Sequence, residues 1–168
     1  MGDPIYAISV RQPWAWALIY GGKDVENRTK APEGTGNLVG HRVCIHAAKG
    51  MTQYEYESAA EFMATLGVEC PCPDRLYRGG VIGSVRIDHV ASEYPSRWFF
   101  GPRGIVVREP QSCDPVAASG QLGWFKWKPS GVLENPKPWM IAWPKSPRKK
   151  SAEEPTTESL FKEVRHED

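Results

Sequence analysis

The stretch IYAISVRQPWAWALIYGGKDVENR, residues 5–28, decides the fold. Its first six residues alternate enough for a strand, with Ile8 and Val10 on one face. Pro13 then stands where a helix tolerates proline, in the first turn, whose N–H groups have no intrahelical partner to lose. Trp14, Ala15, Ala17, Leu18 and Ile19 supply an apolar helical face, and Gly21-Gly22 end it. Asp24 to Arg28 reads as a short extended segment. There Glu26 and Arg28 share one face and Val25 takes the other, with Lys23 at the helix-to-strand junction.

Outward from this stretch, residues 29–40 are loop-like, with Pro32, Gly34, Gly36 and Gly40. Arg42 to Ala47 reads as a buried strand. Tyr54 to Leu66 is the best helix, carrying Tyr56, Ala59, Ala60, Met63 and Leu66 at near-helical spacing. Thr52 and Glu55 form a capping-box pattern before it, and Gly67 stops it. Gly80 to Val90 is a long strand, Gly104 to Arg108 another that Pro110 ends, and Gly123 to Trp127 a third. The fold class expected is α+β, one small mixed β-sheet or barrel with two flanking helices. Residues 1–144 are expected to form this domain. Residues 145–168 are expected to be a charged flexible tail, because Ala152, Leu160, Phe161 and Val164 offer too little apolar surface to offset the entropy of ordering.

Composition narrows the function classes. A chain of 168 residues suits one domain with a tail. Such a chain buries roughly 70% of its unfolded surface, so its core needs no disulfide or metal. Lys and Arg total 21 against 20 for Asp and Glu, which excludes a uniformly basic nucleic-acid coat but leaves room for a local basic groove. No apolar run reaches the ~18 residues of a membrane span. The N-terminus carries Asp3 and no basic residue, unlike a secretory signal. A cytoplasmic location with reduced thiols is therefore expected. Cys44 reads as a small buried hydrophobe. Cys70-Pro71-Cys72 lacks zinc-knuckle spacing, so neither a metal nor a cofactor is expected.

The densest polar functionality is Lys23, Glu26 and Arg28. The three can form a plain surface ion-pair set, which contributes little. Lining a pocket, Arg28 would fix an anion, Glu26 would move a proton, and a desolvated Lys23 would drop in pKa. His46 ends a buried strand, either as a structural residue or as a proton acceptor. Lys49 follows it as a cationic ligand-binding candidate. Ser96, Arg97 and Trp98 join a hydroxyl, a guanidinium and a ring. With Trp14 they suit phosphate contact and base stacking, although aromatic rings in such runs also build cores.

These segments, in this order, resemble the ASCH domain family (activating-signal-cointegrator homology). The resemblance is carried by residues 8–15, by Gly22-Lys23-Asp24-Val25-Glu26-Asn27-Arg28-Thr29, and by residues 40–48, 83–87, 96–101 and 120–124. It spans about residues 5–128, and the Gly-x-Lys-x-x-Glu-x-Arg core is its most specific piece. The resemblance implies a PUA-like fold and a nucleic-acid cleft beside the Lys-x-x-Glu-x-Arg motif. Some members are assigned ribonuclease activity. A small bacterial branch resembles an amidohydrolase of N4-acylated cytidine that uses a Lys and a Thr three residues later. Here Lys23 matches that Lys and Glu26 stands at the Thr position, so the pattern matched is that of the broader family.

Three functions follow. The first is binding of RNA or a modified nucleoside, with Lys23, Arg28 and Arg97 on phosphate or base edges and Trp14 and Trp98 stacking. The near-zero net charge favours a grip on one or a few nucleotides over a long duplex. The second is a metal-independent hydrolase, a ribonuclease or nucleoside amidohydrolase. In RNA cleavage Glu26 or His46 would take the 2′-hydroxyl proton, and Lys23 or Arg28 would stabilise the developing charge. The third is protein interaction through the tail, with Leu160, Phe161 and Val164 forming a helical face on binding.

Overall fold

Helix α1 (Trp14–Tyr20) begins under the control of a buried side chain. Gln12 accepts a hydrogen bond from the Trp16 N–H at 2.9 Å and donates to the Tyr77 carbonyl at 2.8 Å, so one amide both caps the helix and ties it to a distant loop. Gly21 closes the helix by donating to the Ala17 carbonyl at 2.9 Å, and Gly22 follows at φ 78°, a left-handed turn that suits glycine. The structure is a computed structural model that describes residues 4–144; the tail expected at 145–168 lies outside the described residues.

Around α1 run β1 (Tyr6–Val10), β2 (Val25–Arg28), β3 (Arg42–Ala47), β4 (Gly80–Ala91), β5 (Arg103–Ala117) and β6 (Trp124–Lys126). They form one six-stranded sheet in the order β2-β5-β4-β3-β1-β6. Strands β1 and β3 are parallel, with Ser9 opposite His46, and every other pairing is antiparallel. The sheet curls into a half-barrel, so that Arg28 of one edge strand reaches the Ser9 carbonyl beside the other edge. Longer helix α3 is Gln53–Thr65, while α2 (Thr35–Leu38) and α4 (Pro138–Ile141) are single turns. The fold is thus the expected α+β arrangement, one mixed sheet with flanking helices.

The main core lies between α1 and the sheet. It joins Leu18 and Ile19 to Ile8, Val43, Ile45, Val85, Ile87 and Ile105. A second cluster sits where α3 meets α1, built from Ala17, Val25, Ala59, Met63, Trp98 and Val106. Thr52 caps α3 through the expected reciprocal box with Glu55.

Two sequence expectations change. Residues 29–40 hold α2 rather than loop alone. Strand β5 does not end at Pro110 but runs on to Ala117. Ser84 pairs with Gln111 and Arg86 with Arg108, so Glu109 and Pro110 together face Val85 as a bulge. A bulge frees backbone from the ladder, which lets a proline without an N–H remain inside a strand. Among the described residues no helix is long and apolar enough to cross a membrane.

Candidate functional site

The turn after α1 directs Lys23 inward. Its backbone N–H donates to the Ala17 carbonyl at 3.0 Å, and its side chain is only 3% exposed. The ammonium donates to the Val25 carbonyl at 2.5 Å and to Glu26 Oε2 at 3.0 Å, and lies 5.8 Å from the centre of the Trp14 ring. Glu26 Oε1 in turn sits 3.4 Å from Arg28 Nε. That Nε is buried without a hydrogen-bond acceptor in good geometry. Glu26 and Arg28 share a face as alternation requires, while Val25 is fully buried on the other.

From Arg28 the polar file continues across the half-barrel. Arg28 Nη2 donates to the Ser9 carbonyl at 2.9 Å. That carbonyl lies just past Ile8, the last β1 residue paired with β6, so a guanidinium completes an edge the short strand leaves open. Ser9 Oγ is 2.9 Å from His46 Nδ1, and His46 Nε2 is 2.7 Å from the Ala118 carbonyl. A carbonyl can only accept, so Nε2 carries the hydrogen, and in the neutral ring Nδ1 accepts from the Ser9 hydroxyl. Burial holds the His46 pKa below its ordinary value and keeps that ring neutral. The Ala118 hydrogen bond opposes the shift, and the Lys49 charge adds to it.

The remaining residues of the motif fasten a loop. Asp24 Oδ1 accepts from Ser96 Oγ at 2.6 Å. Asn27 donates to the Trp98 carbonyl at 2.9 Å and accepts from the N–H groups of Phe100 and Gly101 at 2.7 and 3.2 Å. Ser96 is thus engaged in the fold. Trp98 is 7% exposed in the second core cluster, which leaves it no free stacking face, and half-buried Trp14 packs on Phe62 with ring centroids 6.1 Å apart. The expectation of base stacking is corrected for Trp98, and both rings add apolar area between α1 and α3. Arg97 is exposed and donates to the Thr65 carbonyl at the end of α3, away from the polar file.

A cleft of about 390 Å³ opens where the file ends. Ser9, His46, Lys49, Gly120 and Gln121 line it. Lys49 is exposed there, with Glu134 3.9 Å from its ammonium. A larger trough of about 1140 Å³ lies elsewhere, bordered by Tyr6, Arg42, Arg86, Trp124 and Trp127, and contains none of the candidate residues. Its arginines are engaged by Glu109, at 2.7 Å from Arg86 and 4.0 Å from Arg42. The smaller cleft is thus the one that holds residues expected from sequence. Of the residues expected from sequence, His46 and Lys49 line it, and Lys23, Glu26 and Arg28 lead to it. Sequence reasoning missed Ser9, Gly120 and the Ala118 carbonyl, which meet His46 only through strand pairing and a returning loop.

Among the described residues, no three His, Cys, Asp or Glu side chains gather as a metal site. No disulfide joins the four cysteines, and Cys44 is buried as expected. No protein family and no curated protein matches the sequence. Solved structures similar to it include an ASCH protein from Zymomonas mobilis, 16% identical, with a TM-score of 0.41 over 82% of this chain and 90% of that one. Two single-substitution variants of that protein, one at a tyrosine and one at a serine, give the same identity and TM-score. They cover 82% and 83% of this chain, and 93% and 95% of theirs.

Proposed function

We propose that the protein binds a nucleotide-sized ligand, a short single-stranded RNA segment or a modified nucleoside, in the cleft lined by Ser9, His46, Lys49 and Gly120. One observation carries this reading. The file Lys23–Glu26–Arg28–Ser9–His46 is continuous and ends in a cleft of about 390 Å³. That volume falls within the range of small-molecule sites and is far too small for a duplex. Ser9 and Gln121 can hydrogen-bond a ribose hydroxyl or a base edge, and the Lys49 ammonium suits a phosphate. The ion pair of Lys23 with Glu26 is buried and already satisfied, so Lys23 supports the site instead of gripping the ligand. The partner reading of residues 145–168 lies outside the described residues.

Fluorescence anisotropy of labelled RNA tetranucleotides across a salt series tests the proposal. The expected result is binding whose affinity falls with salt by roughly 0.7 log units per log unit of salt for each phosphate contact. Lys49→Ala should flatten that slope. Arg28→Ala should weaken binding by relaxing Ser9. Binding unaffected by either substitution would move the site elsewhere, and the arginine-bordered trough would become the next candidate.

A further inference from the structure

Ser9, His46 and Ala118 form a chain of hydroxyl, imidazole and carbonyl at 2.9 and 2.7 Å. The order is that of a nucleophile, a base and a group that orients the base. The pair is not sealed away from the cleft. Ser9 is half-buried and lines it with His46. We propose that Ser9 is a nucleophile activated by His46, which makes the cleft an acyl-transfer site for an ester- or amide-linked acyl group.

In the first step Ser9 Oγ attacks the acyl carbonyl carbon, and its proton passes to His46 Nδ1. The adduct collapses with cleavage of the carbon–nitrogen or carbon–oxygen bond. The leaving amine or alkoxide takes the proton from Nδ1, and the acyl group remains on Ser9 as an ester. Water then attacks that ester with His46 again accepting the proton. A carboxylic acid leaves and Ser9 is restored. The Ala118 carbonyl accepts from Nε2–H throughout, which fixes the tautomer and the ring plane. Lys49 lines the same cleft and brings positive charge to it. A neutral carbonyl stabilises the imidazolium less than a carboxylate would, so the reaction suits activated acyl groups.

Gly120 gives this arrangement a steric signature. A Cβ at that position would lie 2.7 Å from Ser9 Oγ and 2.8 Å from His46 Cε1. The loop rests directly on the pair, and a methyl group would push the two apart. The proposal shares the cleft of the nucleotide reading and is independent of which ligand fills it.

The test treats the full chain with p-nitrophenyl acetate. Nitrophenolate release is followed, and peptide mass spectrometry locates the acetyl group. The expected result is a burst with acetyl on Ser9, absent in Ser9→Ala and at least ~100-fold slower in His46→Gln. Gly120→Ala should also suppress the burst. If His46→Gln does not fold, Ser9→Cys serves. Its new thiol beside His46 should react with iodoacetamide at least ~10-fold faster than the exposed Cys113 of the same chain. Acetyl found only on lysines, or a thiol in Ser9→Cys that reacts no faster than Cys113, overturns the proposal. RNA binding that survives in that case would leave the nucleotide reading standing.

Discussion

Lys23 is accommodated at 3% exposure because Glu26 and the Val25 carbonyl both accept from it. Replacing it by Met leaves Glu26 without its nearer partner in a site only 14% exposed. Chemical denaturation should show Lys23→Met about 2–4 kcal/mol less stable than the parent. Lys23→Met/Glu26→Gln should recover part of that loss, whereas additive losses would mean the two residues do not couple. His46 sets a pH dependence. Its ring stays neutral when folded, so between its lowered pKa and the ordinary value near 6.5 the unfolded chain binds a proton that the folded chain does not. Stability therefore falls as pH drops below about 6.5. Glu55, held low by Arg11, and Glu109, held low by Arg86, lose their pairing only at more acid pH. An equal slope in His46→Gln would assign the effect to another group. At this scale Lys23, Glu26 and Arg28 were legible because their spacing puts them together within one segment. Ser9 was not, because nothing local distinguishes a serine in a strand from one beside a histidine 37 residues away.

Strand β2 is four residues long and serves two purposes by alternation. Glu26 and Arg28 serve the polar file, while Asn27 makes three hydrogen bonds to the 98–101 loop. Asn27→Ala should cost about 2–3 kcal/mol. Amide exchange should speed up at Phe100 and Gly101, with β3 protected as before relative to global stability. Equal acceleration everywhere would mean that the loop is not an independent unit. The loop's anchoring explains why Ser96 and Trp98 look functional in sequence. Polar and aromatic residues in an irregular segment fit recognition and fastening equally well, and only the partners Asp24 and Asn27 decide between them. The capping box of α3 was readable because its two residues stand three apart, whereas the length of β5 was not. Pro110 is a sound stop signal unless a bulge, which depends on the partner strand, removes the need for its N–H.

The packing of α1 on the sheet depends on residues that have no side chain. A Cβ on Gly83 would meet the Gln111 carbonyl at 2.4 Å and Ile19 Cδ1 at 2.9 Å. Gly83→Ala must therefore open the β4–β5 pairing or lift the helix, and should lower stability by about 2 kcal/mol or more. A thermal midpoint equal to the parent's would show that the sheet yields freely there. The α+β class was legible from the run of strand and helix patterns. The strand order was not, because β2 leaves its sequence neighbours for the far edge of the sheet, a choice settled by long-range burial. The parallel pairing of β1 with β3 has one more consequence. Both strands finish at the same level, so Ser9 and His46 meet only after the intervening crossover has folded and docked. No fragment carrying one strand can hold the cleft. Occupancy is thus a gauge of the whole sheet, and a ligand at one hundred times its Kd should add about 2.7 kcal/mol to global unfolding. A melting-temperature screen of nucleosides and acyl compounds would then find a ligand without any assay of turnover.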